Sequence, residues 1–201
     1  MKDPDRLRLE KIKERDALDP LLVHEWSVVM ADTLTRTFEY QQCERLHVFL
    51  SFGSEPHTRP LIEQAWADGK NVFVPSIDPK SLRMGHMEYR PDDALHRGMF
   101  GIPEPVGKTR RSDLDVIGPS LMAVVPLVAF NEHLVRMGYG KGYYDRFLEH
   151  RAFFAFGFAF TTAFTAEFSP LPHDARLDAI VTEQGIVRAR PSTEIPISIS
   201  I

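Results

Sequence analysis

The segment from Val125 to Leu148 places an apolar strand, a glycine-rich loop and the start of a helix in direct succession. Apolar residues run almost unbroken from Leu121 to Phe130, which is typical of a strand buried on both faces. Three glycines follow at alternate positions, Gly138, Gly140 and Gly142. Glycine permits positive φ angles and a close approach of the backbone to an anion. The succession favours an α/β fold with a ligand-binding loop after a buried strand.

Positive charge surrounds this glycine loop. Arg136 and Lys141 lie on either side of it, and the helix predicted from Tyr144 would turn its N-terminus toward the same anion. The glycine spacing matches neither the Walker phosphate loop nor the dinucleotide-binding fingerprint. The segment therefore predicts a phosphate-binding loop of another type, and an ordinary tight turn between strand and helix is the alternative.

The run from Arg136 to Asp145, preceded by Pro126 to Phe130, resembles the signature of the 5-formyltetrahydrofolate cyclo-ligase family, also called methenyltetrahydrofolate synthetase. Other stretches resemble that family in the same order and at its spacing. They are Ser51–Glu55 with Thr58 and Pro60–Ile62, then Phe100–Pro105, then His173–Asp174 with Leu177–Glu183. The resemblance spans almost the whole chain.

The alternation of predicted strands and helices favours a three-layer α/β/α domain with a largely parallel sheet of about six strands. A chain of 201 residues with 43% hydrophobic composition suits a single domain, so residues 1–201 are expected to form one cyclo-ligase-like unit. Ligands in such sheets bind at the carboxyl ends of the strands.

Charge and hydropathy exclude several classes of protein. A net charge of -4 gives no general attraction to nucleic acid. No apolar run reaches membrane-spanning length, and the charged N-terminus is unlike a secretory signal. The single cysteine, Cys43, excludes an internal disulfide. We expect a cytoplasmic protein that acts on small molecules as a monomer or weak homodimer.

The resemblance implies a set of ATP contacts in the glycine loop and in an N-terminal helix. The implied nucleotide-binding residues are Arg8, Arg136, Met137, Gly138, Tyr139, Gly140, Lys141, Gly142, Tyr143 and Tyr144, and the implied catalytic residues are Arg136, Lys141 and Tyr143. An N-terminal lysine of the family is replaced by Pro4, for which Lys2 or Arg6 could substitute. Without the resemblance, Arg6, Arg8 and Arg15 are typical of a solvated helix face.

The resemblance also implies the folate contacts, which are Phe52, Glu55, His57, Tyr139 and Tyr143. The family has a carboxylate where this chain has His57. A carboxylate accepts hydrogen bonds from the N–H donors of a pterin ring, whereas neutral histidine offers one acceptor. The aromatic run from Phe153 to Phe160 predicts a core strand, with stacking under the pterin as the alternative. The chain has Ala163 where the family usually has a glutamine.

Two aspartates, Asp145 and Asp178, match residues that help to hold magnesium in the family. Mg²⁺ prefers carboxylate, phosphate and water oxygens, so the residue types suit it. Read from the sequence alone, Asp145 favours a helix N-terminal cap.

The implied activity is the ATP- and Mg²⁺-dependent conversion of 5-formyltetrahydrofolate to 5,10-methenyltetrahydrofolate with release of ADP and phosphate. A divergent protein that binds folate or nucleotide without turnover is the alternative, because Pro4 and His57 depart from the family pattern. A sugar-phosphate isomerase or transferase is a third reading, but the sequence offers no placeable glutamate–lysine pair for that chemistry.

Overall fold

The fold is built around one seven-stranded sheet, as seen in a computed structural model that describes residues 3–77, 84–149, 151–168 and 175–188. Its helices are α1 (Pro4–Asp16), α2 (Pro20–Thr35), α3 (Phe38–Gln42), α4 (Arg59–Ala67), α5 (Asp113–Val116) and α6 (Tyr143–Leu148). Its strands are β1 (Arg45–Val48), β2 (Asn71–Ile77), β3 (Met84–Glu88), β4 (Leu95–Arg97), β5 (Pro103–Pro105), β6 (Leu121–Val125), β7 (Ala129–Phe130), β8 (Arg136–Met137), β9 (Phe154–Phe158), β10 (Ala179–Thr182) and β11 (Gly185–Arg188).

The strand order of the main sheet is β11-β10-β9-β6-β1-β2-β3. The five inner strands are parallel to one another, and the edge strands β11 and β3 run antiparallel to their neighbours. The prediction of an α/β fold with a largely parallel sheet is confirmed, with seven strands instead of about six. Strand β11, which follows β10 through a tight turn, was not among the predicted strands.

Helices α2 and α4 cover one face of the sheet. Met30 and Leu34 of α2 and Leu61 and Ile62 of α4 are fully buried in the same cluster as Phe156 of β9. Asp19 accepts a hydrogen bond from the Leu21 amide and so caps the N-terminus of α2, where Pro20 opens the helix. Burial of Phe156, Phe158 and Phe160 confirms the core prediction for most of that run, whereas Phe154 is 41% exposed.

The opposite face is covered by the β7–β8 hairpin and the short helix α6. The predicted strand from Leu121 to Phe130 is wrong in its second half, because β6 ends at Val125. Pro126 follows and has no N–H to donate to a sheet neighbour. The chain then turns back, and Ala129–Phe130 pairs with Arg136–Met137. A hairpin therefore supplies much of the layer for which a helix was expected.

Two histidines lie inside the core on this hairpin-covered face. His47 of β1 and His86 of β3 are fully buried, with ring centroids 5.0 Å apart in an edge-to-face arrangement. His86 Nε2 lies 2.8 Å from an oxygen of Asp113, whereas neither ring nitrogen of His47 has a hydrogen-bond partner among the described residues. Burial, with a smaller contribution from His86, holds the pKa of His47 well below its usual value.

No helix within the described ranges is long and apolar enough to cross a membrane. Several positions singled out from the sequence lie outside the described residues. They are Lys2, His173, Asp174 and the tail from Pro191.

Candidate functional site

Helix α1 packs against the hairpin that carries the glycine loop. Leu7 is buried in a cluster with Val135 and Met137 of the hairpin region. This contact brings Arg8 to the loop, where its Nε donates a 2.9 Å hydrogen bond to the carbonyl of Gly138. Arg8 is thus not simply part of a solvated face, and the structure brings it together with the predicted phosphate loop.

Pro4, at the family's lysine position, is the first residue of α1. Proline suits that position because its missing N–H would have no partner in the first turn of a helix. The side chain of Asp3 caps the helix by accepting from the Asp5 amide. Arg6 does not take the lysine's place at the loop, since its side chain is exposed and paired with Glu10 at 3.1 Å.

The three loop glycines are required for different reasons. Gly140 and Gly142 have φ angles of 83° and 69°, which confirms the positive φ expected from the sequence. At Gly138, a Cβ atom would lie 2.7 Å from a guanidinium nitrogen of Arg136, so a side chain there would collide with the arginine packed against it. Positive φ angles favour glycine at positions 140 and 142, and close packing against Arg136 favours it at position 138.

Arg136 is buried, with only 3% of its side chain exposed. One guanidinium nitrogen binds Asp145 at 2.7 Å, and the guanidinium group lies over the ring of Tyr144 at 5.5 Å from its centroid. Arg136 thus joins strand β8 to helix α6. The other two residues expected to be catalytic are more open: Lys141 is exposed, and the half-buried Tyr143 stacks its ring against Arg146 at 5.3 Å.

Tyr144 presents an unsatisfied polar group within the site. Its hydroxyl is buried, and it has no hydrogen-bond partner in the part of the chain that the structure describes. The pKa of this phenol is raised, chiefly by burial, so the hydroxyl stays protonated and can donate a hydrogen bond. A buried donor without a partner is costly, and a ligand oxygen would satisfy it.

The loop from Ser51 to Thr58, which follows β1, is organised by Glu55. This carboxylate is buried, and Oε2 accepts a 2.9 Å hydrogen bond from the backbone amide of Phe52. Oε1 accepts from the hydroxyl of Tyr139 at 2.8 Å. Burial raises the pKa of Glu55. The structure therefore brings Phe52, Glu55 and Tyr139 together, and the rings of Phe52 and Tyr139 are about half exposed.

His57 lies at the end of this loop, against helix α2. Its backbone amide donates to the hydroxyl of Ser27 at 2.8 Å, and its ring centroid is 6.1 Å from that of His24. Burial first, and His24 second, lower the pKa of His57. His24 was not foreseen as a neighbour, because it comes from an exposed position on a distant helix.

Arg15, which on sequence alone is typical of a solvated helix face, is a component of the site. It is buried, and one guanidinium nitrogen donates to the hydroxyl of Tyr139 at 2.8 Å. Its Nε donates to the hydroxyl of Ser54 at 3.0 Å. The available signal was spacing: Arg15 follows Arg8 by two helical turns, which puts both arginines on one face of α1.

A small pocket opens where α1, the 51–58 loop and the hairpin region meet. Arg15 and Pro56 line it together with Leu127 and Phe160. Lys11 stands at its edge and donates to the carbonyl of Thr162 at 2.8 Å. The pocket therefore combines an apolar wall with two cationic side chains.

The two predicted magnesium ligands are each held by an arginine. Asp145 binds Arg136 as described, and Asp178 accepts from Arg151 at 3.0 Å and from the Ala155 amide at 2.7 Å. Asp145 is not the helix cap, since Gly142 occupies that position. The residue before Asp178 donates its amide to the carbonyl of Leu134, so the segment carrying Asp178 lies against the hairpin.

No group of three or more histidine, cysteine, aspartate or glutamate residues suited to a metal occurs among the described residues. Mg²⁺ usually takes one or two carboxylates and completes its shell with water and substrate phosphates. The side chains of Asp145 and Asp178 are 26% and 31% exposed. Each carboxylate is thus of a type that Mg²⁺ prefers and is partly accessible to solvent.

Comparison with known proteins bears on the identity of this site. Residues 1–183 match the model of the 5-formyltetrahydrofolate cyclo-ligase family. A probable 5-formyltetrahydrofolate cyclo-ligase of Schizosaccharomyces pombe is 28% identical over 181 residues, which cover 83% of this chain and 88% of the relative. The 5-formyltetrahydrofolate cyclo-ligase of Escherichia coli strain K12 is 39% identical over 124 residues, or 58% of this chain and 65% of the relative.

Solved structures share the fold. The 5,10-methenyltetrahydrofolate synthetase of Aquifex aeolicus superposes with a TM-score of 0.80 at 24% identity, covering 97% of each chain. The 5,10-methenyltetrahydrofolate synthetase of Mycoplasma pneumoniae gives a TM-score of 0.71 at 19% identity, covering 90% of this chain and 98% of the other. The sheet and its surrounding layers are therefore those of an established architecture.

Proposed function

The chain belongs to the 5-formyltetrahydrofolate cyclo-ligase family, and from this premise we propose that it converts 5-formyltetrahydrofolate to 5,10-methenyltetrahydrofolate while ATP is cleaved to ADP and phosphate. One observation carries the proposal within the structure. The hydroxyl of Tyr139, in the glycine loop, binds Glu55 of the 51–58 loop. This contact sets the proposed phosphate-binding loop beside the proposed folate-binding loop.

The chemistry requires activation of the formyl oxygen, because an N-formyl carbonyl is a poor electrophile and its oxygen is a poor leaving group. In the proposed reaction the formyl oxygen attacks the γ-phosphorus of ATP, and ADP departs. N10 then attacks the formyl carbon and loses its proton, and the oxygen leaves as inorganic phosphate. The reaction needs no side-chain nucleophile.

Charge develops on the transferred phosphoryl group, so positioned donors supply most of the catalysis. We assign this role to the backbone N–H groups of the glycine loop, to Lys141 and to Arg8. Each such donor contributes about 2–4 kcal/mol to transition-state stabilisation. Arg136 lies beneath the loop and is bound to Asp145, so in this arrangement its contribution is to hold the loop in place.

The folate is proposed to lie against the partly exposed rings of Phe52, Tyr139 and Tyr143. Glu55 is the acceptor available to the N–H donors of the pterin, and its raised pKa, caused chiefly by burial, makes its charge sensitive to a bound ligand. His57 is proposed to contact the folate from the end of the same loop.

We propose that Mg²⁺ is held by Asp145 and Asp178 together with phosphate oxygens of ATP. The bound ion would neutralise charge on the phosphates during transfer. The chain's own contribution is to orient the two carboxylates, through Arg136 and Arg151.

The direct test is an absorbance assay for the methenyl product in the presence of folinate (5-formyltetrahydrofolate), ATP and Mg²⁺. Product is expected only when ATP is present, and ADP only when folinate is present. Equal product without ATP would overturn the proposal. Tight folinate binding without ADP release would instead support the alternative, a divergent member that binds without turnover, for which Pro4 and His57 are the motivating departures.

A further inference from the structure

The hydroxyl of Tyr139 is held between two buried charged side chains from different parts of the chain. It donates to Glu55 at 2.8 Å and accepts from Arg15 at 2.8 Å. Burial first, and the nearby Glu55 second, raise the pKa of this phenol, so its proton remains available for the bond to Glu55. The hydroxyl thereby joins the glycine loop to the 51–58 loop and joins both loops to helix α1.

Helix α1 contacts both loops independently of Tyr139. Near its N-terminus, Arg8 binds the carbonyl of Gly138 in the glycine loop. At its C-terminal end, Arg15 binds Ser54 of the 51–58 loop, and Ser54 in turn binds the side chain of Asp16. One helix thus contacts both loops, and displacement of either loop would break the hydrogen bonds of the Tyr139 hydroxyl that link the two.

We propose that Arg15 and Tyr139 couple the two loops, so that a ligand bound at one loop strengthens binding at the other. Arg15 acts in this coupling as a positioning residue, because it works through Tyr139 and Ser54. The inference rests on the proposed function, in which the glycine loop takes ATP and the 51–58 loop takes folate.

The physical basis is a shared ordering cost. Each loop must be fixed before it binds tightly, and the first ligand fixes both loops when they are linked by buried hydrogen bonds. The second ligand then meets a loop that is already ordered. By linkage, each ligand must raise the affinity of the other by the same factor. If Arg15 only stabilised the fold, its substitution would lower the stability of the protein without changing that factor.

The experiment measures the affinity for a non-hydrolysable ATP analogue with Mg²⁺ by calorimetry, with and without saturating folinate. In wild-type protein we expect folinate to tighten analogue binding by about tenfold, which corresponds to about 1.4 kcal/mol. Tyr139→Phe keeps the ring and removes the hydroxyl, so the ratio of the analogue affinity with folinate to that without folinate should fall to near one. Arg15→Met should behave in the same way.

Two further variants separate coupling from general damage. Arg15→Lys keeps the charge but lacks the forked guanidinium group that reaches both Tyr139 and Ser54. It should therefore show only part of the wild-type increase in analogue affinity caused by folinate. Arg6→Met, at an exposed position on the same helix, should keep the wild-type ratio. Wild-type protein that binds both ligands with a ratio of one, or a Tyr139→Phe variant with an unchanged ratio, would overturn the inference.

A second measurement needs no folinate. Backbone hydrogen exchange in the 51–58 loop should slow when the ATP analogue alone binds to wild-type protein, and this protection should be absent in Tyr139→Phe. If wild-type protein fails to bind folinate, the proposed function fails while the exchange result still tests the coupling. Exchange in the 51–58 loop that does not respond to nucleotide in wild-type protein would contradict the coupling itself.

Discussion

The imidazole rings of His47 and His86 meet edge to face inside the core, with their centroids 5.0 Å apart. Phe147 packs against both rings, at 4.8 Å and 5.3 Å. Among the described residues, the ring contacts of His47 are thus one ring able to take a proton and one apolar ring, and the carboxylate of Asp113 contacts His86. A protonated His47 would have no compensating charge beside it.

We predict that the free energy of unfolding falls as the pH drops below about 6.5, the usual pKa of histidine. Because burial depresses the pKa of His47 in the folded protein, the unfolded chain binds this proton first and gains stability from it. His47→Leu should remove about 1.4 kcal/mol per pH unit from the acid dependence, or about 2 kcal/mol at pH 5. Urea unfolding between pH 5 and pH 8 measures the difference.

His133→Gln is the matched control, since the side chain of His133 is 67% exposed. It should leave the acid dependence as in wild-type protein. The prediction would be contradicted if the stability of His47→Leu declined between pH 7 and pH 5 as steeply as that of wild type. That result would show that His47 binds a proton in the folded protein as readily as in the unfolded chain.

Gly140→Val should abolish ATP binding and preserve the fold. A β-branched residue is strongly disfavoured at a φ of 83°, and its Cβ would lie 3.5 Å from the guanidinium carbon of Arg8. Gly107→Val tests backbone strain alone, because Gly107 has a φ of 70° and open space around it. ATP affinity from calorimetry should be lost in the first variant and kept in the second. Equal ATP affinity in both would show that the glycine loop is an ordinary turn.

His57→Glu should tighten folinate binding by about 1–3 kcal/mol if it restores an acceptor for a buried N–H donor. In wild-type protein, folinate affinity should stay constant from pH 8 to pH 7 and weaken below pH 6.5, because protonation removes the acceptor of His57 and its lowered pKa moves that change to more acidic pH. Fluorescence titration with folinate measures both effects. His24→Gln serves as the control for the neighbouring ring. Unchanged folinate affinity in His57→Glu from pH 6 to pH 8 would place His57 outside the folate site.

Asp145→Asn and Asp178→Asn should each raise the Mg²⁺ concentration that gives half-maximal product formation, by about tenfold or more, since each removes one anionic ligand. Thermal unfolding of the same variants checks that they fold. Asp32→Asn, on the exposed side of α2, should leave the Mg²⁺ dependence unchanged. Wild-type Mg²⁺ dependence in both site variants would show that the ion takes its ligands elsewhere.

The sequence predicted the elements whose patterns are local. The apolar run of β6, a strand at Ala179–Thr182 and a helix from Thr58 to Ala67 are all predicted from composition and periodicity. The strand is observed with those bounds, and the helix is observed at Arg59–Ala67. The β7–β8 hairpin was not, because its strands are two residues long and its apolar residues continue those of β6 without a break.

The site shows the same division between local and long-range features. The glycine loop was predicted because the positive φ angles of Gly140 and Gly142 require a residue type visible in the sequence. Arg15 was missed, because its burial depends on a hydroxyl that lies 124 residues away. Charged residues on a helix resemble a solvated face unless the partner that covers them is known.

The central position of β6 has a consequence for how the chain folds. Its neighbours are β1 and β9, so Arg45 must pair with Leu121, and Val124 with Phe156, across long stretches of intervening chain. Closing such loops costs entropy before the strand contacts form and offset that cost, and folding rates fall as contacts become less local. We therefore expect slow refolding after dilution from denaturant, and on the ribosome the sheet cannot close until β9 has left the exit tunnel.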